Sequence, residues 1–169
     1  MATAILAAAA AAAAAADKTA KAALKENEKK WGKTLMAAGW TCVPSTIILR
    51  QRALGLDSID MNLILIIAAH WWTANKLAFP SKKLFAETLG IDVSTVRKRL
   101  ARLEATGMVK RILRPHAGKR HETSLYQLDG LIKGATPFAE EELHVRAEKA
   151  ASGTRRAARK GVLSLVTVP

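Results

Sequence analysis

The side chains best able to do chemistry lie between residues 76 and 121. Twelve Lys and Arg stand there against three Asp and Glu. Residues 1–75 hold eight against five and residues 122–169 seven against six, within a total of +13. Such a cluster offers anion binding, with nucleic acid as the first partner to consider and an acidic membrane surface as the second. The groups that reactions need are not assembled. There is no Walker lysine motif, no Gly-rich dinucleotide turn and no nucleophile elbow. His70, His116, His121 and His144 reach no standard metal-ligand spacing with Cys42. The expectation is a protein with no enzymatic activity, cofactor or metal.

The elements that must position the cationic groups follow from length and pattern. A chain of 169 residues allows one compact domain with tails. A single cysteine, Cys42, excludes an internal disulfide framework and fits a reducing cytoplasm. The ten alanines at 7–16 lack the charged start and strongly apolar middle of a secretory signal. They are also too short and too weakly apolar for a membrane span, which needs about 20 residues. They extend a Lys- and Ala-rich helical pattern over 17–36 that ends near Gly39. An extended turn follows at 40–44, then a short mixed segment closed by Gly55. Asp57, Ser58, Ile59 and Asp60 read as a helix start. The apolar helix they open, 61–72, lacks a wide polar face and is expected to be central and buried, with Trp71 and Trp72 packing in the core. Trp31 and Trp40 are left to cover the domain or a partner subunit. Residues 74–80 read as a loop.

Ser81 is an N-cap candidate for a helix over 82–89, whose Phe85 and Leu89 share a face; Gly90 ends it. Asp92 is a second N-cap candidate, for a helix over 93–106 with Val96, Leu100 and Leu103 on one face, closed by Gly107. Two short helices joined by a tight glycine turn make a helix-turn-helix unit. Strand-forming runs at 108–114 and 123–128 then bracket a hairpin loop carrying His116, Lys119, Arg120 and His121.

The pattern Ser81-x3-Phe85-Ala86-x2-Leu89-Gly90-x-Asp92-x2-Thr95-Val96-x3-Leu100-x2-Leu103-x3-Gly107-Met108-Val109 resembles the bacterial winged helix-turn-helix family. Small transcription regulators and plasmid or phage replication-initiation proteins are its nearest members. Phe85-Ala86 replaces the usual Leu-Ala, and Asp92 a frequent Ser; both keep the physical role. The resemblance implies a mainly α fold with a small β-hairpin wing and helical N- and C-terminal extensions. Its divisions would be an extension at 1–39, a DNA-binding domain at 40–132 and a helical tail at 133–169. The tail helix is expected over 137–160, entered through Pro137 and Phe138. It carries Glu140, Glu141 and Glu142 early and Arg155, Arg156, Arg159 and Lys160 late, with a break at Ser152-Gly153 and an apolar end that could add a strand.

At 100° per residue, the stripe through Val96, Leu100 and Leu103 leaves Ser94, Lys98, Ala101 and Ala105 opposite. The N-terminal part of a recognition helix meets base edges. Ser94, Thr95, Arg97 and Lys98 are therefore the expected base readers. Ser81, Lys82, Lys83, Arg99 and Arg102 are the expected phosphate contacts. The wing would add Arg114, His116, Lys119, Arg120 and His121. Lys82 and Lys83 sit in a first helical turn, where the macrodipole disfavours cations unless an anion is bound. The expected function is sequence-specific binding of double-stranded DNA by a transcription repressor, a homodimer in the bacterial cytoplasm and on the nucleoid. The alternatives are a replication initiator on origin repeats and a nonspecific nucleic-acid subunit of a larger complex. The terminal helices could hold a protein partner; no membrane is expected.

Overall fold

The structure, a computed structural model, describes residues 19–114 and 123–165, with side chains as far as residue 153. The chain divides into two compact units, 1–42 and 43–169. The first contains helix α1 (19–31) and helix α2 (Lys33–Ala38). The expected single helix over 17–36 is thus interrupted at Gly32, the worst helix former after proline. Trp31, Leu35 and Trp40 are exposed on this unit.

The second unit begins with α3 (Ser45–Leu49) and then α4 (Ser58–Ala69). The helix start expected at 57–60 is present, and Asp57 is its cap. Its Oδ1 accepts from the backbone of Ile59 and Asp60 at 2.9 Å each, and Asp60 accepts in return from the Asp57 N–H at 3.4 Å. This reciprocal capping box starts a helix that buries Met61, Leu63, Ile64 and Ile67. The expectation that both following tryptophans pack in the core holds for Trp71 alone. The chain leaves the helix at His70, so Trp72 is 84 % exposed and its indole N–H donates to the Ala69 carbonyl at 2.8 Å.

Helices α5 (Lys82–Leu89) and α6 (Val93–Ala105) form the helix-turn-helix. Ser81 caps α5 by accepting from the Leu84 N–H at 3.0 Å. Gly90 takes φ 63°, a left-handed conformation that glycine adopts without steric cost and that turns the chain into α6. Asp92 stands at the cap position of α6, but its side chain makes no capping hydrogen bond. Val96, Leu100 and Leu103 pack with the buried face of α4 and with Phe85, whose ring meets Tyr126 edge-on at 5.7 Å.

Strands β1 (Lys110–Ile112) and β2 (Leu125–Gln127) pair antiparallel with Arg111 opposite Tyr126. They are shorter than the expected runs, and the loop at 115–122 lies outside the described residues. The 74–80 segment is more than a loop. Ala78 bridges to Tyr126, whose N–H donates to the Ala78 carbonyl at 2.8 Å, so a single residue extends the hairpin on its other side. One bridging residue leaves no alternation for a sequence to reveal.

Helix α7 spans Asp129–Leu165 and corrects three expectations. It starts eight residues before Pro137, contains that proline, and continues through Ser152-Gly153 into the segment expected to add a strand. Proline removes the bond to the Lys133 carbonyl and costs about 3 kcal/mol in a helix interior. Burial of Leu131 and Ala135, with Phe138 half-covered beyond them, offsets that cost on one face. Arg50 fastens α3 to this helix through Glu142 at 3.3 Å and lies 5.9 Å from the Phe138 ring centre. Among the described residues, no helix is long and apolar enough to cross a membrane.

Candidate nucleic-acid interface

The outer face of α6 presents Ser94, Arg97, Lys98 and Ala101 to solvent, with Thr95 half-buried beside them. Burial of Val96, Leu100 and Leu103 fixes the helix rotation, so this face is set by packing and not by the cations themselves. Among the described residues neither Arg97 nor Lys98 has an acidic partner. Two exposed cationic side chains beside one hydroxyl, on the first two turns of α6, can donate to guanine O6 and N7 or to phosphates.

Arg99 and Arg102, expected at phosphates, are placed differently. Both point back to the start of α4. Arg99 pairs with Asp57, and Arg102 with Asp60. The cross-contacts are longer, 3.9 Å for Arg99–Asp60 and 3.4 Å for Arg102–Asp57. Arg102 also donates to the Gly55 carbonyl at 2.9 Å. Asp60 is 1 % exposed, and a carboxylate so deeply buried requires a cationic partner. The Asp60 backbone N–H, followed by the Arg99 charge, holds the Asp57 carboxyl below its ordinary pKa, against the opposing effect of burial. This bridge anchors α6 to α4. Its signal in the sequence was faint: two arginines three apart on the flank of the apolar stripe, and two aspartates three apart on another helix.

The α5 cations also diverge. Lys83 is exposed and reaches Glu87 at 3.6 Å, a surface pair worth well under about 1 kcal/mol. Lys82 is half-buried and turns to a cleft of about 540 Å³ between the start of α5 and the hairpin. Ser81 lines the same cleft while its hydroxyl oxygen caps α5. Arg114 contributes from the hairpin; its Nε donates to the Thr123 carbonyl at 3.1 Å and its guanidinium lies 5.8 Å from the Phe79 ring centre. His116, Lys119, Arg120 and His121 lie outside the described residues. The sequence reading missed Arg111, which lines the cleft from β1 and pairs with Glu104 of α6 at 3.0 Å. Strand alternation was its one available signal, and three residues are too few to carry it. No group of His, Cys, Asp and Glu among the described residues could hold a metal ion.

Residues 54–109 match the family of helix-turn-helix domains. The match runs from just before α4 to the residue preceding β1. Followed by the antiparallel hairpin, it gives the fold of a winged helix-turn-helix with helical extensions. No curated protein matches the chain. A similar solved structure is the crystal structure of the S. aureus MepR–DNA complex, with 16 % identity and a TM-score of 0.40 over 73 % of this chain and 90 % of that one.

Proposed function

We propose that this helix-turn-helix chain binds double-stranded DNA sequence-specifically as a transcription regulator, a repressor acting by occupying its site. Helix α6 enters the major groove, Ser94, Thr95, Arg97 and Lys98 read bases, and Lys82, Lys83 and the hairpin hold flanking phosphates. One observation carries the reading: α6 has cations of two kinds. Arg99 and Arg102 are consumed in pairs with Asp57 and Asp60, whereas Arg97 and Lys98 stand exposed on the face opposite the core. The first two hold the helix and the second two are left for a ligand. A single module reads only a few base pairs, so useful specificity calls for two copies and an inverted repeat.

Selection from a random duplex library, with affinities of the winner and a scrambled control at two salt concentrations, tests this. A gap of about 4 kcal/mol or more supports specific readout. Equal, salt-sensitive affinities leave only nonspecific binding and remove the regulator reading. Lys98→Ala is expected to relax preference at one position and cost about 1–2 kcal/mol on the selected site. Lys82→Ala should weaken all duplexes alike and lower the slope of log K against log salt by about one unit. Unchanged sequence preference in Lys98→Ala would refute the assigned reading face.

A further inference from the structure

The cleft between the start of α5 and the hairpin has features that a solvated basic surface lacks. Lys82, Arg111 and Arg114 line it; among the described residues no acidic side chain does, and Glu104 of α6 pairs with Arg111 from behind at 3.0 Å. Its walls hold polar groups without partners. The Arg111 Nε is buried without a hydrogen-bond partner. Ser124 is 8 % exposed and Tyr126 2 %, and among the described residues neither the Ser124 hydroxyl nor the Tyr126 phenol has a partner. Unpartnered hydroxyls on two nearly buried residues, beside one guanidinium Nε buried without a partner, leave donors for an acceptor bound in the cleft. A volume of about 540 Å³ lies in the small-molecule range of roughly 300–1,000 Å³ and far exceeds one phosphodiester group. The Arg111 guanidinium gives one nitrogen to Glu104 and keeps donors beyond that pair, and a phosphate monoester brings about −1.5 to −2 charges with three acceptor oxygens.

We propose that this cleft is a binding site for a small phosphate monoester, held by Lys82, Arg111, Ser124 and Tyr126, and that its occupation competes with DNA for Lys82. The competition rests on the DNA-binding reading above; the site itself does not.

Titration calorimetry of the whole chain with ribose 5-phosphate, and with ribose as the neutral control, tests the site. The expected result is saturable one-to-one binding of the phosphate ester alone. Arg111→Gln and Tyr126→Phe should each weaken it about tenfold. Tyr126→Phe keeps the ring that packs on Phe85, so its loss cannot be put down to misfolding. Lys149→Gln, on the exposed side of α7, removes one charge elsewhere and should change nothing. No saturable binding at millimolar ester, or equal binding by wild type and both cleft variants, overturns the site. Duplex affinity at constant ionic strength supplies the second arm. Added ribose 5-phosphate should weaken duplex binding by wild type, and about tenfold more ester should be needed for the same effect in Arg111→Gln. Duplex binding without ester binding refutes the cleft and spares the DNA reading. Ester binding by a chain that binds no duplex does the reverse, and duplex binding indifferent to a bound ester refutes the competition.

Discussion

Asp60→Ala is expected to cost about 3 kcal/mol of folding free energy and to lower the melting temperature by roughly 10 °C. Removing one partner from a buried ion pair typically costs about 3–5 kcal/mol, because the other charge is stranded. The lower end applies here because the Arg102 side chain is 45 % exposed and can rehydrate. The same substitution removes half of the capping box that starts α4. Asp60→Asn preserves the shape and the acceptor oxygen and should recover part of the loss. Chemical denaturation of the three proteins measures the series; a midpoint for Asp60→Ala equal to wild type would refute the anchoring role. Acid should weaken the same bridge. Asp57 has its folded-state pKa lowered below its ordinary carboxylate value, which it keeps when unfolded. Its contribution is therefore fully present above that unfolded value and is lost as pH falls through the lower folded one. Stability should be insensitive to this group near neutrality and decline below about pH 4. In Arg99→Gln that decline should be shallower, since the charge that helps lower the pKa is gone.

Gly130→Val is expected to cost about 3 kcal/mol, the upper end for forced overpacking. A Cβ at Gly130 would stand 1.7 Å from the Gly107 carbonyl oxygen and 2.9 Å from its carbon. The obstacle is backbone, and the backbone there is committed. Gly107 ends α6 at φ 72°, and the Leu131 N–H donates to the Met108 carbonyl at 3.1 Å. Relief requires α7 to move off the end of α6. Gly134, one turn later, makes the opposite prediction. A Cβ there meets Leu54 and Met108 side chains at 3.8 Å, ordinary contact distance. Gly134→Ala should stabilise by about 0.5–1 kcal/mol through helix propensity. Melting both variants beside wild type checks the pair. If Gly130→Val melts with wild type, the close approach of α7 to the α6 terminus is wrong.

The helix-turn-helix was legible because every level of its sequence agrees. Ser81 and Gly90 bound α5, Val96, Leu100 and Leu103 repeat at helical spacing, and Gly107 ends α6. These are local devices that act within a turn or two of chain. The start of α7 was not legible, since Pro137 is an adverse local signal that burial of Leu131 and Ala135 overrides. Trp72 misled for a related reason: an apolar run predicts burial only while the helix lasts, and α4 ends before it.

The sequence by itself determined the rotation of α6, because an apolar stripe must face the core and thereby turns Ser94, Lys98, Ala101 and Ala105 outward. It also placed the basic excess on the α5, α6 and hairpin segment. Only the tertiary structure decided how that charge is divided. Arg99 and Arg102 have the same composition and spacing as ligand-binding cations. Their assignment depends on Asp57 and Asp60, more than forty positions away, and a carboxylate acts on a guanidinium only within a few ångströms. Arg111 and Lys82, likewise remote in sequence, meet at one cleft because the hairpin folds back on the start of α5. Helical periodicity is a property of the chain alone, whereas the pairing of charges depends on which segments the fold brings into contact.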